Sequence, residues 1–192
     1  MYIDNRKHTV VHTDCMSATE ERDGVVSVYV ENDTDNGCVF TLDGVKDRER
    51  EIYNIHIPTT DQLGVLVLIC TPEVDSYYKT GLYHFYNKAG ELARAYRLHI
   101  GDIFSMTETG FDHSDDISIG DTVYIKNGSA LLTMEETSTP LGFIAKKEII
   151  GGIEFYMVQI DSAVDAEEGS DSDQDSTDNH VGSMVVGSGV VG

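Results

Sequence analysis

The sequence predicts an all-β fold, an antiparallel sandwich or barrel of about ten short strands. Three observations carry this. Runs rich in Val, Ile, Tyr and Phe recur along residues 24–160, each about the length of one strand. Turn-forming residues separate them at roughly ten-residue intervals, the rhythm of sandwiches and barrels. No segment carries two full amphipathic helical turns.

Thr9-Val10-Val11-His12-Thr13 reads as extended chain. GVVSVYVE (24–31) and CVFTL (38–42) flank a polar loop that ends in Asn36-Gly37. That pair tolerates positive φ, so the two runs read as a hairpin. EIYNIHI (51–57) alternates strictly, with Ile52, Asn54 and His56 on one face, and Pro58 closes it. LGVLVLIC (63–70) is continuously apolar and predicts a strand buried on both faces, stopped by Pro72. GLYHFYN (81–87) reads as an aromatic-rich strand. Runs at 95–100, 102–107, 122–126, 129–133, 141–150 and 153–160 complete the set. Short helices are expected near Ser17–Arg22, where Ser17 and Glu20 have capping-box spacing, and near Pro72–Lys79. Ile100-Gly101-Asp102 echoes Ile119-Gly120-Asp121 and predicts two equivalent turns ahead of strands.

The acidic, turn-rich segment FDHSDDIS (111–118) suggests a boundary. The expected units are an N-terminal β domain over 1–111, a small C-terminal β unit over 112–161, and a tail over 162–192. Residues 162–180 hold seven acids and no Lys or Arg, which predicts a flexible acidic tether. A Gly/Val-rich end, VGSMVVGSGVVG, follows it.

The charge balance excludes function classes. Thirteen Lys plus Arg stand against 34 Asp plus Glu, a net charge of −21. Nucleic-acid binding needs clustered cations to neutralise phosphate, and attachment to anionic membranes needs them too. Neither partner is expected. The apolar run at 65–70 is too short for a membrane-spanning helix, and the N-terminus lacks the pattern of a secretory signal. Cys15, Cys38 and Cys70 are odd in number and far apart, which suggests reduced thiols rather than a disulfide framework.

No residue is assigned a catalytic, cofactor-binding or metal-binding role. G-x-S-x-G, P-loop and H-E-x-x-H motifs are missing from the sequence, and no G-x-G-x-x-G opens a helix. Asp171, Asp173 and Asp175 open like a calcium loop, but Ser176 stands at the required glycine and Gly182 at the required glutamate. Asp115-Asp116 and Glu135-Glu136 are sequence neighbours, which on extended chain point apart. His8 and His12 have helical metal-ligand spacing on a stretch that reads as extended. Tyr77, Tyr78, Tyr83, Phe85 and Tyr86 would suit sugar stacking only if exposed on one flat face, and alternating aromatics on a strand are more often core.

Several stretches carry a family resemblance. They are Thr71-Pro72-Glu73-Val74, Phe85-Tyr86-Asn87-Lys88-Ala89-Gly90, Ala93-Arg94-Ala95-Tyr96-Arg97-Leu98 and Gly101-Asp102-Ile103-Phe104-Ser105. Together they resemble a small head protein of tailed bacteriophages. GDTVYIKNGSALLT followed by GFIAKKEIIGGIEFYMVQI is similar to a β unit frequent in phage capsid-associated proteins. The two cover most of residues 60–161. The resemblance implies a non-enzymatic virion component, a decoration or cement protein on the head surface. It also implies synthesis in the host cytoplasm, with the major capsid protein and further copies of this chain as partners in a homo-oligomeric array.

The tail lies outside the resemblance. Val181, Met184, Val185, Val186, Val190 and Val191 are its apolar residues after Ala166 and are the candidate partner-binding set. Two other classes compete. An acidic DNA-mimic inhibitor would need carboxylates at phosphate-like spacing on a firm element. A carbohydrate-binding module would need the exposed aromatic face described above.

Overall fold

The computed structural model describes residues 7–59, 63–73, 82–112, 117–136 and 139–161. They form an all-β fold of twelve strands with three single-turn 3-10 segments and, among the described residues, no α-helix. The strands are β1 (Val11–Cys15), β2 (Val25–Tyr29), β3 (Val39–Asp47), β4 (Ile52–His56), β5 (Leu66–Ile69) and β6 (Leu92–Arg97). They continue as β7 (Ile103–Met106), β8 (Phe111–Asp112), β9 (Thr122–Ile125), β10 (Leu132–Thr133), β11 (Thr139–Ile150) and β12 (Ile153–Ile160).

Two layers result. β2, β4, β3, β5 and β6 close into a barrel, and β1, β7, β12, β11, β9, β10 and β8 form an open sheet in that order. Pairing is antiparallel except between β2 and β4 and between β8 and β10. β5 joins the layers because its apolar run has no polar face. Leu66 and Leu68 enter a core shared with Phe104, Met106, Ile144 and Val158 of the sheet. Val67 and Ile69 point the other way, into the barrel with Val28 and Ala95. All four are buried, and each contributes about 1.5–3 kcal/mol by leaving water.

Sheet membership does not divide at 111/112. β1 and β7, both before that point, lie in the same sheet as β8 to β12, and β7 sits between β1 and β12. The barrel strands, residues 25–97, are inserted between the sheet's first and second strands. The pairing of Val11 with Met106 spans too much chain to leave a local sequence signal.

Asn36-Gly37 does not close a hairpin. Gly37 does take positive φ, +84°. However, β2 bonds to β4 and β6, and β3 bonds to β4 and β5. The Asn36 side chain is instead fully buried and spent on distant loops. It donates to the Thr71 carbonyl (2.9 Å), accepts from the Thr71 N–H (3.0 Å) and accepts from Asn87 Nδ2 (3.2 Å). Those bonds tie three segments together where a hairpin would have used only two.

The aromatic run at 82–86 is not a strand either. Leu82–His84 is a 3-10 turn whose Tyr83 carbonyl accepts the His8 N–H. Ser17–Thr19 is likewise a single 3-10 turn, and no capping box forms, because the Ser17 N–H donates to Asp102 Oδ1 at 2.7 Å. Residues 74–79 of the second expected helix lie outside the described residues.

The two Gly-Asp turns share one construction. Gly101 and Gly120 have φ of +91° and +94°. In each, the aspartate's side chain accepts the N–H three residues back, from His99 or Ser118. In each, the glycine N–H and the aspartate carbonyl bond one residue of the hairpin opposite, Ile160 for the first turn and Ile144 for the second.

Candidate interaction site

Two surface features stand out, and different elements build them. The first is a cleft of about 630 Å³ where the barrel meets the sheet. The loop after β2, the β3 and β4 strands, and Ala130-Leu131 before β10 enclose it. The Val39 N–H holds that last segment in place by donating to the Ala130 carbonyl. Phe40, Ile55, Ala130 and Leu131 pack on the barrel core with one side and face the cleft with the other, so they are only half-buried. Glu31, Asp33 and Asp35 stand on the rim, and among the described residues no Lys or Arg lines the cleft.

The rim carboxylates are held to different degrees. Asp35 Oδ1 lies 2.7 Å from Nδ1 of buried His8, whose ring stacks on Tyr86 at 4.8 Å. Asp33 accepts the Ala89 N–H at 2.9 Å. Glu31 is exposed and makes no ion pair among the described residues. His56 lines the cleft with a buried Nε2 that has no hydrogen-bond partner. The cleft's one thiol, Cys38, is pushed up to about 12 by burial, reinforced by the Asp35 carboxylate. A thiol so protonated is a poor nucleophile.

The second feature is an arm. β11 pairs with β9 only as far as Phe143, and β12 pairs with β7 only from Tyr156 onward. Beyond those points Lys146 to Ile150 have only β12 beside them and Ile153 to Phe155 only β11. The ribbon is thus two-stranded from Glu148 and Phe155 to its tip, with β7 still behind β12 at Lys146 and Lys147. A register break between Ile144 and Lys146 marks where the sheet ends and the arm begins. Such bulges commonly re-aim a strand. Gly151 and Gly152, both at positive φ, make the two-residue tip. The free part reaches about 15 Å at the usual rise per residue. Ile149 is 72% exposed and Ile150 47%.

Electrostatics hold the arm's root. Lys147 Nζ lies 3.1 Å from Glu154 Oε1, and the Tyr156 hydroxyl donates to Glu154 Oε2 at 2.9 Å. Hydrogen bonds from Lys147 and Tyr156 hold the Glu154 carboxyl below its usual range, and the Glu154 bond holds Lys147 above its own. Lys146 pairs with Glu148 along the same strand.

The residues singled out in the sequence are scattered. Val181, Met184, Val185, Val186, Val190 and Val191 lie outside the described residues, as do Asp171, Asp173, Asp175, Asp115, Asp116, Tyr77 and Tyr78. Glu135 sits 3.9 Å from Lys126, which also bonds Asp112. His8 and His12 do not converge, because His8 meets Asp35 while the His12 ring lies on Phe155 at 4.7 Å. Tyr83, Phe85 and Tyr86 are partly buried and form no open platform, with Tyr83 under Lys7 and Tyr86 against His8.

Sequence reasoning missed both the cleft and the arm. The arm had a signal. Lys146-Lys147-Glu148 are three consecutive charges inside a long strand, which leaves neither face apolar. The cleft draws on three separated segments and had none. No protein-family model matches this chain, and no curated protein matches it.

Proposed function

We propose that this chain is a non-enzymatic structural component of a tailed-phage virion, a decoration or cement protein on the head that binds the lattice of the major capsid protein. The observation that supports this reading is the β11–β12 arm. It extends past its own sheet, offers an unpaired strand edge and ends in exposed isoleucines. An edge of this kind is a template for pairing with another chain. Lys146 and Lys147 on it discourage indiscriminate stacking, so that a matched partner is preferred. The net charge of −21 keeps many copies apart in solution before assembly. The Gly/Val tail from Val181 belongs to the same proposal as a second contact on a soluble tether.

The test is co-sedimentation with head shells from an infected culture. Full-length chain is expected to bind. A chain carrying Ile149→Ser and Ile150→Ser is expected to lose most of its occupancy, with stability changed by no more than about 0.5 kcal/mol, as at other exposed sites. A chain with Val185, Val186, Val190 and Val191 changed to Ser is expected to bind more weakly than wild type. Equal occupancy by all three overturns the assigned contacts, and absence of the chain from purified particles overturns the reading itself.

A further inference from the structure

We infer that the cleft between the barrel and the sheet binds an apolar segment of a partner protein that carries a lysine or arginine. This inference does not rest on the virion reading. The floor demands apolar contact, since Phe40, Ile55 and Leu131 each leave one side in the cleft without a protein neighbour to cover it. Ile57, 45% exposed, extends the same surface outward. The rim then selects the charge. Glu31, Asp33 and Asp35 lie along one loop, and among the described residues no Lys or Arg lines the cleft to answer them.

Glu31 is the free charge of the three, because Asp33 and Asp35 are already bonded to Ala89 and His8. A long basic side chain suits both demands. Its methylenes lie on the apolar floor while its head reaches the rim. A neutral apolar segment would leave the carboxylates beside a dry surface, and an acidic one would be repelled. The volume, about 630 Å³, suits a few side chains and not a folded element.

The test uses the full chain and capped pentapeptides, followed by NMR of the methyl groups. Leu-Lys-Val-Lys-Leu is expected to shift Ile55, Ile57 and Leu131 in a saturable way. Leu-Gln-Val-Gln-Leu is expected to bind about fivefold more weakly, the scale of one exposed ion pair. Leu-Glu-Val-Glu-Leu and Ser-Lys-Ser-Lys-Ser are expected to leave these methyls unmoved. Glu31→Gln with Asp33→Asn should bring the lysine peptide down to the glutamine peptide's affinity. Both carboxylates are exposed, and Asn keeps an oxygen for the Ala89 N–H, so the fold is retained. The proposal is overturned if the lysine peptide moves none of these methyls at millimolar concentration. It is equally overturned if the glutamate peptide binds as well, if the serine peptide binds as well, or if the double variant binds unchanged.

Discussion

The two halves of the β11–β12 hairpin share a backbone and differ in what surrounds them. At the root, Leu141, Ile144, Val158 and Ile160 are buried, and the strands are flanked by β9 and β7. In the arm, Ile149 and Ile150 face water, and only Phe155 at its base is buried, against the His12 ring. A lone two-stranded ribbon is marginal in water, so the arm owes its shape to the root it grows from. The difference teaches that regular hydrogen bonding alone does not make a segment part of the folding core. Burial does, and the isoleucine tip of the arm lacks it.

The sharpest test of that division is Gly142. A Cβ there would stand 2.0 Å from the Gln159 carbonyl oxygen and 3.0 Å from the Ile160 Cα, both backbone atoms that cannot step aside. Gly142→Ala should destabilise by about 3 kcal/mol or more, measured by urea unfolding. A near-neutral result would mean that the root is not closely packed. Asn36→Ala tests the buried side at a second place, in the joint between loops. It strands the Thr71 N–H and leaves Asn87 Nδ2 only its bond to the Thr34 carbonyl, and should cost about 2–3 kcal/mol in the same assay.

At the tip the numbers fall. Gly151 has φ of +60° and open space around its Cβ position, so Gly151→Ala meets no clash and only backbone strain. About 1 kcal/mol is expected. A loss as large as that of Gly142→Ala would erase the contrast between root and arm.

Acid acts at the boundary and is the smallest effect. The folded Glu154 carboxyl sits below its unfolded value, so its contribution is present above the unfolded pKa and is lost as pH falls through the folded one. As pH falls below the ordinary glutamate range the Lys147 and Tyr156 resonances should shift together, while global stability lost through this group stays small because the pair is exposed. Independent titration of the two would show that they do not share this carboxylate.

Local signals made part of this structure legible. The unbroken apolar run at β5 announced a strand buried on both faces, and it is the strand that joins the two layers. The repeated Ile-Gly-Asp announced two equivalent turns, which share their bonds down to the residue they clasp. What stayed hidden was pairing over distance. Asn36-Gly37 has hairpin chemistry, yet its side chain is claimed by residues 71 and 87, which no local pattern can announce. The aromatics at 83–86 looked like a ladder and instead pack around the N-terminal segment, because His8 takes both the Tyr83 carbonyl and the Tyr86 ring. The cleft was illegible for the same reason, since its floor and rim come from three stretches that meet only after the barrel docks on the sheet.

Amide hydrogen exchange on the free chain and on the particle-bound chain tests the central claim most directly. In the free chain, amides of residues 146–150 should exchange nearly as fast as open loops, while those of 156–160 should exchange only with global unfolding. On the particle, 146–150 should become protected and the root should stay as it was. Protection of the arm in the free chain, or an arm that exchanges equally fast on the particle, would contradict the account.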